Sequence, residues 1–412
     1  MNTFTYLFLS VFAVVTATQF WLAKRQAAYV LAHRDNVPNA FKQTVSLSAH
    51  QKAADYTQAK SQLGDIERIY GVILLLVLTV FGGINAIFEF CAARIESPLF
   101  AGVGAIALLT FLMSLSEMPV SWYGTFVIEE KFGFNKNTPA QFFKDEVMQL
   151  GLAAVIGLPI LTLILWIMDS VGSTWWIWAW AILMSFSLLM SWLFPTVIAP
   201  LFNKFTPMED GTLKTRISGL LERCGFNSQG IFIMDGSKRS GHGNAYFTGL
   251  GNNKRIVFYD NLVASLDDEE LEAVLAHELG HFKCKHVVKM LITTSITTLI
   301  GFAILGWLID KDWFFNGLGV QHASNAAALL LFTLVMPIFT FFTQPISAYF
   351  QRQFEFEADD FAAQHAQASR LISGLVKLYE ENASTLTPDP FYADFYYSHP
   401  PAAVRIAHLT KS

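Results

Sequence analysis

The sequence predicts an α-helical integral membrane protein: seven transmembrane helices with an α-rich polar domain on one side of the bilayer. Three observations predict it. Hydrophobic residues make up 53% of the 412 and charged residues only 15%, with a mean hydropathy of +0.39. Seven stretches approach the roughly 20 mostly apolar residues that crossing a bilayer requires. Lys and Arg collect in alternate loops between those stretches. The formal charge of −5 argues against nucleic acid as a partner. Cys91, Cys224 and Cys284 are too few and too scattered for a disulfide framework.

In chain order the expected spans are Phe4–Leu22, Ile69–Cys91, Leu99–Val127, Met148–Met168, Thr174–Ala199, Val287–Ile309 and Ala326–Phe350. The first lacks a basic leader and a small-residue cleavage site, so it reads as a retained span. No Lys or Arg precedes it, whereas the next loop carries Lys24, Arg25, Arg34, Lys42, Lys52, Lys60 and Arg68. Arg94 stands alone in the loop after that; Lys131, Lys136 and Lys144 follow in the next. The loop between the fourth and fifth spans has no Lys or Arg, and the long one after the fifth has ten, from Lys204 to Lys285. Lys311 is alone between the last two spans, and the tail has five from Arg352 to Lys411. Positive residues stay cytosolic, so the N-terminus is expected outside and the C-terminus in the cytosol.

The chain therefore divides into residues 1–199 (five spans and their loops), 200–286 (a polar segment), 287–350 (two spans) and 351–412 (a polar tail). The two polar segments are expected to pack together on the cytosolic side. Glu117 and Pro119 fall within the third span and Glu89 near the end of the second. Ionisable groups at membrane depth face a bundle interior or a watery cavity.

The polar segment contains "SLDDEELEAVLAHELGHFKCKH". Ser265 with Asp268 fits a capping box, and the acidic run at 267–270 suits a helix N-terminus. On a helix, residues four apart share a face. His277 and His281 can therefore aim their ring nitrogens at one point. Glu278 can reach a water beside a metal held there without binding the metal itself. Two metal ligands and a general base are the physical content of H-E-x-x-H, and one zinc ion is the expected cofactor.

A catalytic zinc takes three protein ligands as a rule. Cys284 lies seven residues past His277, about 10 Å along the helix axis, a poor fit to a compact site. His286 reads as an interfacial residue. "RQFEFEADDFAAQHA" offers better: the last two spans form a hairpin that returns the chain to the same side. Glu355 and Asp359 share a face there, one as ligand and one behind it accepting the free N–H of a liganding histidine. Glu357 is the alternative. "NAYFTGLGNNKRIVFYD" reads as a β-hairpin around Gly-Asn-Asn. Its edge could hold an extended peptide, or Asn244 could simply shape a turn.

The sequence resembles the type 1 CAAX prenyl endopeptidases. Residues 123–138 (YGTFVIEEKFGFNKNT), 194–207 (FPTVIAPLFNKFTP) and 241–250 (GHGNAYFTGL) carry the likeness. So do HELGH, FEFEAD and 397–409 (YSHPPAAVRIAHL), in the family's order and over nearly the whole chain. The resemblance implies seven helices enclosing a water-filled chamber with the zinc site at its cytosolic end. It implies zinc on His277, His281 and Glu355, with Asp359 behind them and Glu278 as the base. It also implies His399 and Arg405 near the reacting carbonyl, and Asn244 on the substrate backbone. A polypeptide substrate, C-terminally prenylated in the family, and the lipid bilayer are the implied partners, and a monomer is expected. The ending "HLTKS" shows no retrieval signal for the endoplasmic reticulum, whose membrane is the expected site in a eukaryote; with the compact loops it leans towards a bacterial inner membrane. That leaves open a quality-control protease with unprenylated clients. A chamber that holds peptide without cutting it would have no use for Glu278. A protease with its motif inside a span would not flank it with charges as "DDEELEA" and "KCKH" do.

Overall fold

The computed structural model describes residues 1–226, 228–248 and 255–411. Six helical stretches are long and apolar enough to cross a membrane: Thr3–Ala32, Pro98–Phe132, Pro139–Ser170, Gly172–Phe202, His286–Leu308 and Asn325–His365. A bent pair, Leu47–Leu78 and Gly83–Ala92, makes the seventh. Several run beyond the apolar stretches read from sequence, because good helix formers follow with no breaker. The last reaches 41 residues and carries its helix out of the apolar zone to Glu355 and Asp359.

The second expected span, Ile69–Cys91, is not one straight helix. It breaks at 79–82 and turns by 53°. Gly82 takes φ 78°, a left-handed conformation that glycine tolerates best. Gly319, from the turn between the last two spans, packs into the break, where a Cβ would stand 2.0 Å from the Thr79 carbonyl oxygen.

The spans bury little of themselves. Only 6% of the apolar window is buried in Gly172–Phe202 and in His286–Leu308, and 17% in Pro139–Ser170. These helices therefore pack sparsely against one another and leave most of their apolar surface uncovered by protein. Their shared core includes Leu78, Ile84, Leu109, Leu165, Leu305, Phe314, Phe315 and Leu331, and continues along the first span through Phe8, Val15 and Leu22 to Phe341 and Phe395.

The extramembrane domain pairs helices with a sheet that is larger than the expected hairpin. Strands β1 (Phe205–Pro207), β2 (Ile231–Met234), β3 (Ala245–Thr248) and β4 (Arg255–Tyr259) lie in the order β1-β2-β4-β3. β3 and β4 pair antiparallel, Ala245 opposite Phe258, and their turn at 249–254 lies outside the described residues. β2 runs parallel to β4. β3 is therefore an edge strand. Ile217, Leu220, Phe258, Leu271, Leu275 and Leu279 form a core with Ala362, Leu371 and Leu409 of the C-terminal segment. Residues from both sides of the last two spans thus build one domain.

Candidate metal centre

The motif helix, Asp268–Lys283, is capped two residues later than expected. Its cap is Asp267, whose side chain accepts from the Glu269 and Glu270 amides at 2.9 Å each. Glu270 returns the bond to the Asp267 N–H at 2.9 Å, which completes the capping box. Ser265 instead ends the short helix Asp260–Ser265. Glu270 is buried and anchored by Lys377 and Ser373 at 2.7 and 2.6 Å, tying the motif helix to the helix Ala368–Glu381.

Against the motif helix lies Gln344–His365. Gly280 makes their close approach possible: a Cβ there would stand 2.8 Å from the Ala358 Cα and 3.0 Å from its carbonyl oxygen. This contact brings His277 and His281 to Glu355. One ligand atom from each of the three lies within 4.8 Å of the others. The two histidine Nε2 atoms are 3.2 Å apart. Glu355 stands 3.5 Å from His277 through Oε2 and 3.3 Å from His281 through Oε1. The buried Oε2 has no hydrogen-bond partner among the described residues. A buried carboxylate that turns one oxygen to His277 and Arg405 and the other to His281, without a hydrogen bond on Oε2, fits a divalent metal with N and O ligands.

Behind the ligands stands a buried polar layer. Asp359 is fully buried and accepts the His277 Nδ1–H at 2.8 Å, which leaves Nε2 free for a metal. Arg405 holds Asp359 in turn with two bonds, Nε to Oδ2 at 2.9 Å and Nη2 to Oδ1. Burial opposes its charge, but the Asp359 hydrogen bonds outweigh that and raise its pKa. Arg405 is 5% exposed and lines neither of the two cavities beside the centre. It backs the ligand layer, with its Nη1 3.5 Å from Glu355 Oε2.

His281 has its own support, and here the sequence reading missed a residue. Its Nδ1 lies 2.9 Å from His286 Nδ1, and His286 Nε2 lies 2.9 Å from Glu357 Oε2. With His281 Nε2 turned to the metal position, its Nδ1–H donates to His286, whose own proton goes to Glu357. His286 is buried, not interfacial. The motif helix ends at Lys283, and Lys285 with φ 59° turns the chain so that His286 comes back beneath His281. A third histidine five residues after the motif was the available signal. Cys284 sits with His286 and Glu357, apart from the His277 cluster.

Two cavities meet at this centre. The first, about 1200 Å³, is lined by Phe186, Met190, Phe194, Phe247, Phe282 and Phe354 beside His277, Glu278, His281 and Glu355. Glu278 is half-buried in that wall. The second, about 1100 Å³, is lined by Lys60, Arg68, His242, Asn244, Asn382 and several tyrosines. Ser398 and His399 line both. His399 is 65% exposed; its Nδ1 lies 2.9 Å from Ser398 Oγ and its Nε2 3.4 Å from Glu355 Oε1. Asn244 is exposed at the start of the edge strand, and its carbonyl accepts the Tyr259 N–H at 2.9 Å. Asn382 fixes the residue before it, accepting the Gly243 N–H at 3.2 Å and donating to its carbonyl at 3.4 Å.

Residues 26–204 match the CAAX prenyl protease N-terminal family of five membrane helices, and residues 207–412 match peptidase family M48. CAAX prenyl protease 1 of Saccharomyces cerevisiae is 33% identical, over 94% of this chain and 91% of the yeast protein. The Homo sapiens CAAX prenyl protease 1 homolog is 30% identical over the same shares. The crystal structure of S. mikatae Ste24p superposes with a TM-score of 0.93 at 31% identity, covering 99% of each chain. These relatives are eukaryotic and do not add weight to a bacterial source.

Proposed function

The chain belongs to the type 1 CAAX prenyl protease family within peptidase family M48, and from this premise we propose that it is a zinc endopeptidase acting on prenylated, membrane-bound polypeptides. That it is a membrane metallopeptidase follows from the family. The prenylated substrate, the identity of the metal and the roles of single residues are the proposal. One observation carries it: the metal cluster opens directly onto a phenylalanine-lined cavity of about 1200 Å³. An isoprenyl chain seated there would hold its peptide beside Glu278. Lys and Arg distribution supports a cytosolic active site, with the N-terminus outside.

His277, His281 and Glu355 would hold the zinc. The chemistry that zinc supplies at such a ligand set is polarisation of the scissile carbonyl and of water. Glu278 takes the proton of the attacking water as its oxygen adds to the carbonyl carbon. Glu278 then delivers that proton to the amide nitrogen as the C–N bond breaks. Ser398 can donate to His399 Nδ1, which keeps the His399 proton on Nε2, facing the site and ready for the developing oxyanion. Asp359 and Arg405 are positioning residues for His277. Asn244, at the start of edge strand β3, holds the substrate backbone.

The test is purified full-length protein with a farnesylated CAAX peptide and its unprenylated twin, each with and without a zinc chelator. Chelator-sensitive cleavage of the farnesylated peptide alone supports the proposal. Equal cleavage of both would replace it with a protease of broader, unprenylated clients.

A further inference from the structure

The two cavities differ in charge. Among the described residues lining the second are Lys60 and Arg68, and no aspartate or glutamate. Lys60 and Arg68 lie on one face of the helix Leu47–Leu78, together with Thr57, Ser61 and Gly64 at three- and four-residue spacing. The Lys60 side chain is 59% exposed, and its Nζ is 3.9 Å from the nearest Glu129 oxygen, beyond hydrogen-bond reach. Its one hydrogen bond is a long one, 3.4 Å to the Tyr56 hydroxyl. Arg68 donates to Asp65, while its buried Nε has no partner among the described residues. Both cations therefore keep donor capacity beside a cavity that also holds His399 and Asn244.

We infer that Lys60 and Arg68 form a binding site for the free C-terminal carboxylate of the substrate. The inference rests on the endopeptidase reading above. A peptide whose lipid fills the apolar cavity crosses the metal at His399, the residue common to both walls, and its C-terminal residues enter the second cavity. Three extended residues span about 10 Å. A cavity of about 1100 Å³ is wide enough for such a run. A carboxylate entering it meets Lys60, whose Nζ stands 3.9 Å from Glu129, and Arg68, which pairs with Asp65 but keeps its Nε without a partner among the described residues, and charge-assisted bonds to it are the stronger kind. An amide or a continuing chain brings no charge and gains no such bond from either cation. The site would thus place the scissile bond by measuring from the chain's end. An anionic lipid head group offers the same charge, so the test must separate the two sources.

The experiment uses the full chain in neutral detergent with one farnesylated peptide made as a free acid and as a C-terminal amide. The wild type is expected to cleave the acid with a KM lower by about tenfold, the size of one charge-assisted hydrogen bond. Lys60→Gln should erase most of that preference, and Lys60→Glu should reverse it towards the amide. Metal content equal to wild type shows that the variants are folded, and Arg68→Gln gives an independent second reading. Equal kcat/KM for acid and amide in the wild type overturns the inference while leaving the endopeptidase reading intact. So does inhibition by anionic phospholipid that Lys60→Gln relieves, with acid and amide cleaved alike. Cleavage of neither peptide overturns the endopeptidase reading itself.

Discussion

Gly280→Ala should disable the metal centre without touching any ligand. The new Cβ would meet the Ala358 Cα at 2.8 Å and its carbonyl oxygen at 3.0 Å, both backbone atoms that cannot swing aside. Ordinary contact begins near 3.4 Å, so the two helices must separate by about 0.6 Å. Overpacking of this kind costs about 1–3 kcal/mol, which a domain with a continuous core can survive. The site cannot absorb it as easily. His277 and His281 ride on one helix and Glu355 on the other, and metal-ligand distances tolerate only about 0.2 Å. The variant should therefore fold, lose zinc affinity by about tenfold or more, and lose activity in step. Competition with a chromogenic chelator reads the affinity, and thermal unfolding reads the fold. Wild-type zinc affinity and activity in a folded Gly280→Ala protein would refute the claim that helix separation sets the ligand geometry.

Other outcomes follow from the layer behind the ligands. Asp359→Asn should weaken zinc binding by about 10–100-fold, since the amide can present its N–H to His277 and favour the wrong ring tautomer. Arg405→Lys should act in the same direction, because a single ammonium cannot reproduce two parallel bonds to Asp359; metal titration of each purified variant checks both. His277 predicts a pH effect. Burial and Arg405 oppose its charge, but Asp359 and Glu355 outweigh them and raise its pKa from 6.5 to about 9 in the metal-free protein. A raised folded pKa stabilises the fold below pH 6.5, and that contribution is lost as pH rises through about 9. Metal-free protein should thus lose stability across that window. Zinc binding at pH 7 should release a proton from His277, measurable by calorimetry in buffers of different ionisation enthalpy. Asn244→Ala should raise KM with little change in kcat, read with the farnesylated peptide.

Local patterns carried much of this structure, and long-range contacts hid the rest. Apolar runs and loop charges locate seven membrane-crossing regions because lipid imposes length and composition residue by residue. The break at Thr79–Gly82 had a local signal in the Gly82-Gly83 pair, but the packing of Gly319 into it is long-range and was not legible. Strands β1 and β2 are three and four residues long, too short for a period-2 pattern to register. The His277–Glu278–His281 spacing is readable because a helix converts it into geometry. Glu355 and Asp359 are readable for the same reason, once the last two spans return the chain to the motif. His286 escaped because its place depends on the left-handed turn at Lys285, which no side chain announces. The position of Arg405 behind Asp359 depends on how the C-terminal helix Ala402–Leu409 docks, and spacing says nothing of that.

The most direct measurement compares wild type with Glu278→Gln, both full-length and in detergent, for bound zinc and for cleavage of the farnesylated peptide in the same samples. Glu278 lines the cavity beside the cluster but is not one of its three ligand residues. One zinc per chain is expected in each protein, with a loss of about 10²–10⁴-fold in kcat for the variant. Cleavage at the wild-type rate by zinc-loaded Glu278→Gln would contradict this.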